Sequence, residues 1–222
     1  MLAKLFIASL PAIIFIVLFS LIDKKFVKKK WLILLGVLLV GAIGSYICYR
    51  FEMHFGSYFK KVAVSNYFEV LFYAIFGVAI FEEGYKWLVS LGTISLDKKV
   101  KSKQILIYTV FASIGFAWFE NIAYFALKYD ISAVLGRMFT AFPNHICNAI
   151  WMGYFLILVK KKNNKKWLYF ILSLIVPTII HGLYNSFLYQ GNPNLMKYHA
   201  VYVIIMYLAT ALITKKIIKE SK

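Results

Sequence analysis

An all-α, polytopic bundle of transmembrane helices is what this sequence predicts, and three observations carry the prediction. Of its 222 residues, 62% are hydrophobic and only 16% charged, against roughly 45–50% and about 25% in soluble domains. The apolar residues gather into seven runs, each near the roughly 20 residues a helix needs to cross about 30 Å of hydrocarbon. Those runs are continuous rather than alternating, so they read as helices, which satisfy their own backbone hydrogen bonds in lipid.

Taken in order, the first run covers 2–22. It carries no small-residue cleavage pattern and ends in Asp23-Lys24-Lys25, so it reads as a retained anchor rather than a signal peptide. The second covers 31–49. Residues 50–71 mix Glu52, His54, Lys60, Lys61 and Glu69 with Phe and Tyr, a composition that predicts an amphipathic helix at the interface. Runs at 72–96, 104–127, 137–159 and 167–189 follow, and the last and shortest is 199–214. So little polar sequence remains that residues 1–222 read as a single transmembrane domain. Cys48 and Cys147 both fall in apolar runs without CxxC or metal spacing and are expected to be free thiols.

A net charge of +17 would suggest nucleic acid in a soluble protein. Here the lysines lie in short clusters between apolar runs, which is a signature of topology, so the expected partner is the lipid bilayer and not nucleic acid. One set of alternate loops, at 24–30, 98–103, 160–166 and 215–222, holds 18 of the 26 Lys and Arg residues. The other holds Lys4, Arg50, Lys60, Lys61, Lys128, Arg137 and Lys197, and Lys86 lies inside a run. The asymmetry predicts an N-terminus outside and a cytoplasmic C-terminus.

Charges inside the runs need a chemical reason, since each costs about 2.5–3.5 kcal/mol near the bilayer centre on insertion scales. Glu82, Glu83 and Lys86 occupy one run and Glu120 the next. His145 and Asn148 follow at i,i+3, and His181 and Asn185 at i,i+4, so each pair projects from one side of its helix. His54 and His199 fall near run boundaries and are expected to be solvated. Lys86 reads as the neutralising partner of a carboxylate, and Asn148 equally as interhelical glue or as part of the site. Peptide hydrolysis needs a base for water, donors for the oxyanion and an acid for the leaving amine. Glu82 or Glu83 can serve as the base, with His and Asn as donors. Alternatively Glu82, Glu120, His145 and His181 can bind a divalent metal such as zinc, although no HExxH motif is present. A proton-coupled transporter or channel would use the same residue types as a relay, but the chain lacks two matching halves with broken helices.

The order EExxK (Glu82, Glu83, Lys86), FxxxE (Phe116, Glu120), an isolated His145 and HxxxN (His181, Asn185), within residues 70–190, resembles the PrsW family of intramembrane proteases. That family lies in the wider group of type II CAAX prenyl endopeptidases and bacteriocin-processing proteins. Those relatives carry EExxxR and FxxxH, so Lys86 and Glu120 point to the PrsW branch. The resemblance implies a multi-pass protease of the bacterial cell membrane that cuts a single-pass anti-sigma factor on its extracytoplasmic side, starting sigma-factor activation in a stress response. It also implies that Glu82, Glu83 and His181 tolerate replacement least. Depth arithmetic agrees about the side. Counted from outer ends near Lys128, Arg137 and Gln190, the residues Glu120, His145 and His181 lie 8, 8 and 9 positions inward, or roughly 12–14 Å.

Overall fold

The chain is seen in a computed structural model that describes residues 2–59, 66–97, 99–126, 131–161, 164–191 and 193–220. Nine α-helices and one π-helix follow one another among these residues, without a strand. They are α1 (Leu2–Ser20), α2 (Lys24–Phe59), α3 (Tyr67–Phe72), the π-helix (Tyr73–Ala79), α4 (Ile80–Leu96), α5 (Ser102–Ala126), α6 (Ile131–Phe139), α7 (Ala141–Lys160), α8 (Lys166–Tyr189) and α9 (Pro193–Lys219). Among the described residues five helical stretches are long and apolar enough to cross a bilayer, at Lys24–His54, Ser102–Phe125, Ser132–Lys160 (interrupted at Thr140), Lys166–Tyr189 and Lys197–Lys219. The apolar helix Leu5–Ser20 is shorter, and the run at 72–96 becomes the charged rod of π-helix and α4. Each expected apolar run is thus helical, and the chain is a polytopic membrane bundle.

Two expectations about boundaries are corrected. Residues 50–59 do not form a separate interfacial helix but continue α2 to a length of 36 residues, with a bend at Lys30 (φ −112°, ψ 18°). Ser45, Tyr49 and Glu52 fall at helical spacing along this extension and line one cavity, so an inward face keeps the helix going. Residues 60–65 of that segment lie outside the described residues. The run at 137–159 is likewise not one helix. It breaks at Thr140 (φ −120°, ψ −66°) between α6 and α7, where Pro143 in the first turn of α7 has no N–H to contribute. Tyr207 donates to the Phe139 carbonyl at 2.6 Å, and Tyr184 donates to Thr140 Oγ1 at 3.0 Å, so the break is fastened to α8 and α9.

α5 runs through the centre of the core. Ile105, Leu106, Ile107, Tyr108, Ala112 and Ile114 are buried in a single apolar cluster with residues of α1, α2, α7 and α9. It meets α2 closely at two glycines: a Cβ on Gly115 would lie 1.9 Å from the Leu38 carbonyl oxygen, and one on Gly41 2.2 Å from that of Ala112. Small residues that let two backbones approach are a recurrent device where van der Waals contact must substitute for hydrophobic driving force. Large apolar side chains such as Ile204, Leu208 and Leu212 on α9 remain exposed and face where lipid would be.

The lysine clusters collect at one end of the bundle. Lys25, Lys29, Lys99 and Lys101 line a shared cleft there, Lys30 pairs with Asp97 at 3.6 Å and Lys103 with Asp23 at 3.7 Å. Cys48 and Cys147 are buried and free. His54 is exposed, but His199 is not solvated as expected: it is buried, with its ring centroid 4.8 Å from that of Tyr184. The aromatic side chains of α8 give it a better-matched environment than the helix boundary suggested.

Candidate active site

The polar residues of four runs meet in the interior. Glu82, Glu83 and Lys86 come from α4, Glu120 from α5, His145 and Asn148 from α7, and His181 and Asn185 from α8. All but Glu120 are buried. Their helical spacing explains the convergence, since residues three or four apart share a face. Ser113 ties α5 to α7 by donating to the His145 carbonyl at 2.8 Å.

Glu83 is the hub. Its Oε1 receives Lys86 Nζ at 2.6 Å, His181 Nδ1 at 2.8 Å and Asn148 Nδ2 at 3.3 Å. Lys86 was expected to neutralise a carboxylate, and the one it meets closely is Glu83, since Glu82 Oε2 lies 3.9 Å away. Its ammonium also sits 4.6 Å from the centroid of the Phe116 ring and 3.3 Å from His145 Nδ1. Asn148 therefore belongs to the site rather than only to the helix interface.

A second chain of contacts leads outward from His145. Its Nε2 lies 2.7 Å from Glu120 Oε2, and Glu120 Oε1 lies 2.9 Å from Arg137 Nη2. That last contact is an ion pair without a hydrogen bond at the nitrogen. Arg137 Nε donates to Asn121 Oδ1 at 3.2 Å, and the guanidinium covers the Tyr124 ring at 3.8 Å. Ionised carboxylates only accept hydrogen bonds, so these contacts assign the imidazole protons. His145 carries its proton on Nε2 and accepts from Lys86 at Nδ1. His181 directs an Nδ1 proton to Glu83, and in the neutral ring its Nε2 is then an acceptor. The two rings meet edge to face at 5.0 Å.

Above this network lies a cavity of about 170 Å³ whose wall includes Glu52, Glu82, Glu120, Arg137, His181 and Asn185. Glu83 is absent from the wall, being wholly buried beneath it. Glu82 Oε2 is buried without a hydrogen-bond partner, a costly state for a carboxylate oxygen unless water or a cation completes it. Ala123, Tyr124, Leu188 and Tyr189 also line the cavity, placing its mouth toward the ends of α5 and α8 remote from the lysine clusters.

All six sequence-predicted site residues are therefore near one another, with Asn185 in the wall but outside the hydrogen-bonded network. Two residues were missed. Glu52 had been read as interfacial, although its i,i+3 spacing from Tyr49 continued an inward face. Arg137 had been counted as a loop charge, although it abuts an apolar run directly. Among possible metal ligands, donor atoms of Glu82, His145 and His181 lie within 4.8 Å of one another. One carboxylate oxygen and two imidazole nitrogens suit zinc, and the unpartnered Glu82 Oε2 fits a cation. Glu120 is not in that group, and a metal on His145 would take the place of Glu120 or of the Lys86 ammonium at one of its ring nitrogens.

Buried carboxylates and imidazoles opening onto a cavity, in a bundle of membrane-length helices, place the chain among polytopic membrane proteins with chemistry inside the bilayer. A family model described as "PrsW family intramembrane metalloprotease" matches residues 29–213. The chain belongs to that family and is a membrane-embedded protease of a bacterial membrane, and the transporter reading is not favoured. It is similar to "Protease PrsW" of Clostridioides difficile (strain 630), 28% identical over 190 residues that cover 82% of this chain and 78% of the relative. Its likeness to "Protease PrsW" of Oceanobacillus iheyensis is 31% over 169 residues, covering 74% and 73%. For "Protease PrsW" of Bacillus subtilis (strain 168) the figures are 26% over 184 residues, 78% and 74%. No solved structure matches the chain.

Proposed function

We propose that residues 1–222 act as one transmembrane protease domain that cuts a single-pass anti-sigma factor near its extracytoplasmic membrane boundary, with Glu82 as the base that activates water. The observation that carries this assignment is the contrast between the two glutamates. Each has one oxygen without a hydrogen bond, but Glu82 lines the cavity, whereas Glu83 is wholly buried beneath its wall and held at Oε1 by Lys86, His181 and Asn148. Water held between Glu82 Oε2 and the acceptor Nε2 of His181 loses a proton to Glu82 as its oxygen bonds to the substrate carbonyl carbon. The Asn185 amide, in the cavity wall, is placed to donate to the oxyanion. Glu82 then returns the proton to the leaving amine as the C–N bond breaks. Glu83, Lys86 and Asn148 hold His181 in orientation, and Glu120 does the same for His145. The cavity mouth lies away from the lysine-rich end, which supports cleavage on the outer side.

The ligand grouping favours a second reading of the same site. A divalent ion held by Glu82, His145 and His181 would supply a Lewis acid for water and carbonyl, leaving the unpartnered Glu83 Oε2 to take the proton.

Co-expression with a tagged single-pass anti-sigma factor tests the activity through a shortened product whose new terminus maps outside the membrane. Glu82→Gln is expected to lower cleavage at least about 100-fold, the lower bound for a positioned general base, at unchanged membrane level. Near-normal cleavage by that variant would refute both roles for Glu82. Purified protein assayed with and without chelator separates the two readings, because only the second expects loss on chelation and recovery on adding zinc.

A further inference from the structure

Apart from the site, a groove of about 770 Å³ lies on the opposite side of α7. Its floor is formed by Ile146 and Ile150 of α7, a face distinct from the one that presents His145 and Asn148 to the site. Phe15 and Phe19 of α1 form one wall, and Tyr207 and Ala211 of α9 form the other. At the lysine-rich end the groove is closed by Lys215 and Lys219, one helical turn apart on the same face. From Tyr207 to Lys219 it runs about 18 Å along α9 at 1.5 Å per residue.

Charge distinguishes this groove from an ordinary lipid-facing crevice. The cations nearest to it on α7 and α9 are engaged: Lys161 pairs with Glu220, and Lys216 Nζ donates to Tyr154 OH at 3.3 Å while lying over that ring. Lys215 and Lys219 have no hydrogen-bond or ion-pair partner among the described residues, and the nearby carboxylate of Glu220 is already held by Lys161. An apolar channel ending in two unpaired ammonium groups at the cytoplasmic boundary is complementary to one kind of molecule, an anionic phospholipid. Its acyl chain would lie along Ile146, Ile150 and Phe15, and its phosphate would meet Lys215 and Lys219. We propose that this groove is a selective site for an anionic phospholipid of the cytoplasmic leaflet, seated against the back of the helix that carries His145.

The test uses the full chain in detergent micelles, with phosphatidylglycerol and phosphatidylcholine of matched acyl chains in competition and retained lipid counted by native mass spectrometry. The wild type is expected to retain phosphatidylglycerol preferentially. Lys215→Gln with Lys219→Gln is expected to lower that preference roughly 30-fold, since each lysine near a bilayer surface contributes about 1 kcal/mol to attraction for anionic lipid. A charge-matched control, Lys165→Gln with Lys166→Gln, should leave the preference unchanged. Ala211→Trp, which fills the exposed groove wall, should displace lipid of either headgroup. Equal retention of the two lipids by the wild type, an unchanged preference in the Lys215/Lys219 variant, an equal fall in the control, or full lipid retention by Ala211→Trp would each overturn the assignment. None of these readouts depends on proteolysis, so the site stands or falls apart from the proposed cleavage.

Discussion

Replacing Lys86 by methionine isolates the energetics of the buried pair at the heart of the site. Lys86 is 1% and Glu83 0% exposed, and their charged atoms are 2.6 Å apart. Removing one partner of such a pair leaves a bare charge in the interior and typically costs about 3–5 kcal/mol, whereas replacing both with neutral groups of similar volume is often close to neutral. Methionine reaches the Phe116 ring that the ammonium now covers at 4.6 Å, so packing there is preserved. Glu83→Gln keeps a carbonyl oxygen that can accept from His181 and Asn148. Lys86→Met alone is therefore expected to destabilise the bundle by about 3–5 kcal/mol, and adding Glu83→Gln to recover at least about 2 kcal/mol of that. Reversible unfolding in mixed micelles, titrated with dodecyl sulfate and followed by tryptophan fluorescence, would give the double-mutant cycle. A Lys86→Met variant within about 1 kcal/mol of wild type, or a double variant no more stable than the single one, would show that the charges do not depend on each other as described.

Two further outcomes follow from packing and from the outer contacts. Gly115→Ala should cost at least about 1–3 kcal/mol in the same unfolding assay, because the clashing atom is the Leu38 carbonyl oxygen on a neighbouring backbone. Gly92→Ala, where nothing lies within 4 Å, should instead be neutral or stabilising by up to about 1 kcal/mol. Arg137→Gln should lower cleavage up to about 10- to 100-fold at constant protein level, because it frees Glu120, the outer partner that orients His145. Arg137→Lys should recover part of that loss by restoring a cation beside Glu120, a recovery that product yield in the co-expression assay measures.

Much of this architecture was legible because lipid leaves so few options. A run such as 104–127 had to be a helix, and a charge inside it such as Glu120 had to find a partner, so spacing alone brought Glu120, His145 and His181 to one place. What stayed hidden depended on contacts between runs. Nothing local says that Lys86 prefers Glu83 over Glu82, because i,i+3 and i,i+4 pairs are equally reachable on a helix and His181 and Asn148 on other helices decide the matter. Arg137 was obscured by its position at a run boundary, where a cation normally only reports topology. The break at Thr140 did leave a trace, since a proline three residues into a helix is common in first turns and rare further in. Glu52 was lost because aromatic residues around it gave 50–59 the composition of an interface, while its register already belonged to the helix before it.

The π-helix at Tyr73–Ala79 has a consequence for how this chain tolerates change in length. Each such turn closes an i→i+5 ring, here Ile80 N–H to the Ile75 carbonyl, and so holds one residue more than an α-turn would. Before it, Tyr67 meets Ser186 at 3.1 Å, and in its first turn Ile75 packs on Gly182; after it, Glu82 and Glu83 meet His181. Both sets of contacts are to α8, so the surplus residue sets the angular phase between them. Deleting one residue from 73–79 would let the segment relax into ordinary α-helix and keep its hydrogen bonds. It would also rotate one set by about 100° relative to the other. Such a deletion is the three-dimensional counterpart of a reading-frame shift: every residue downstream is still present, in sequence and in helix, but addressed to the wrong neighbour.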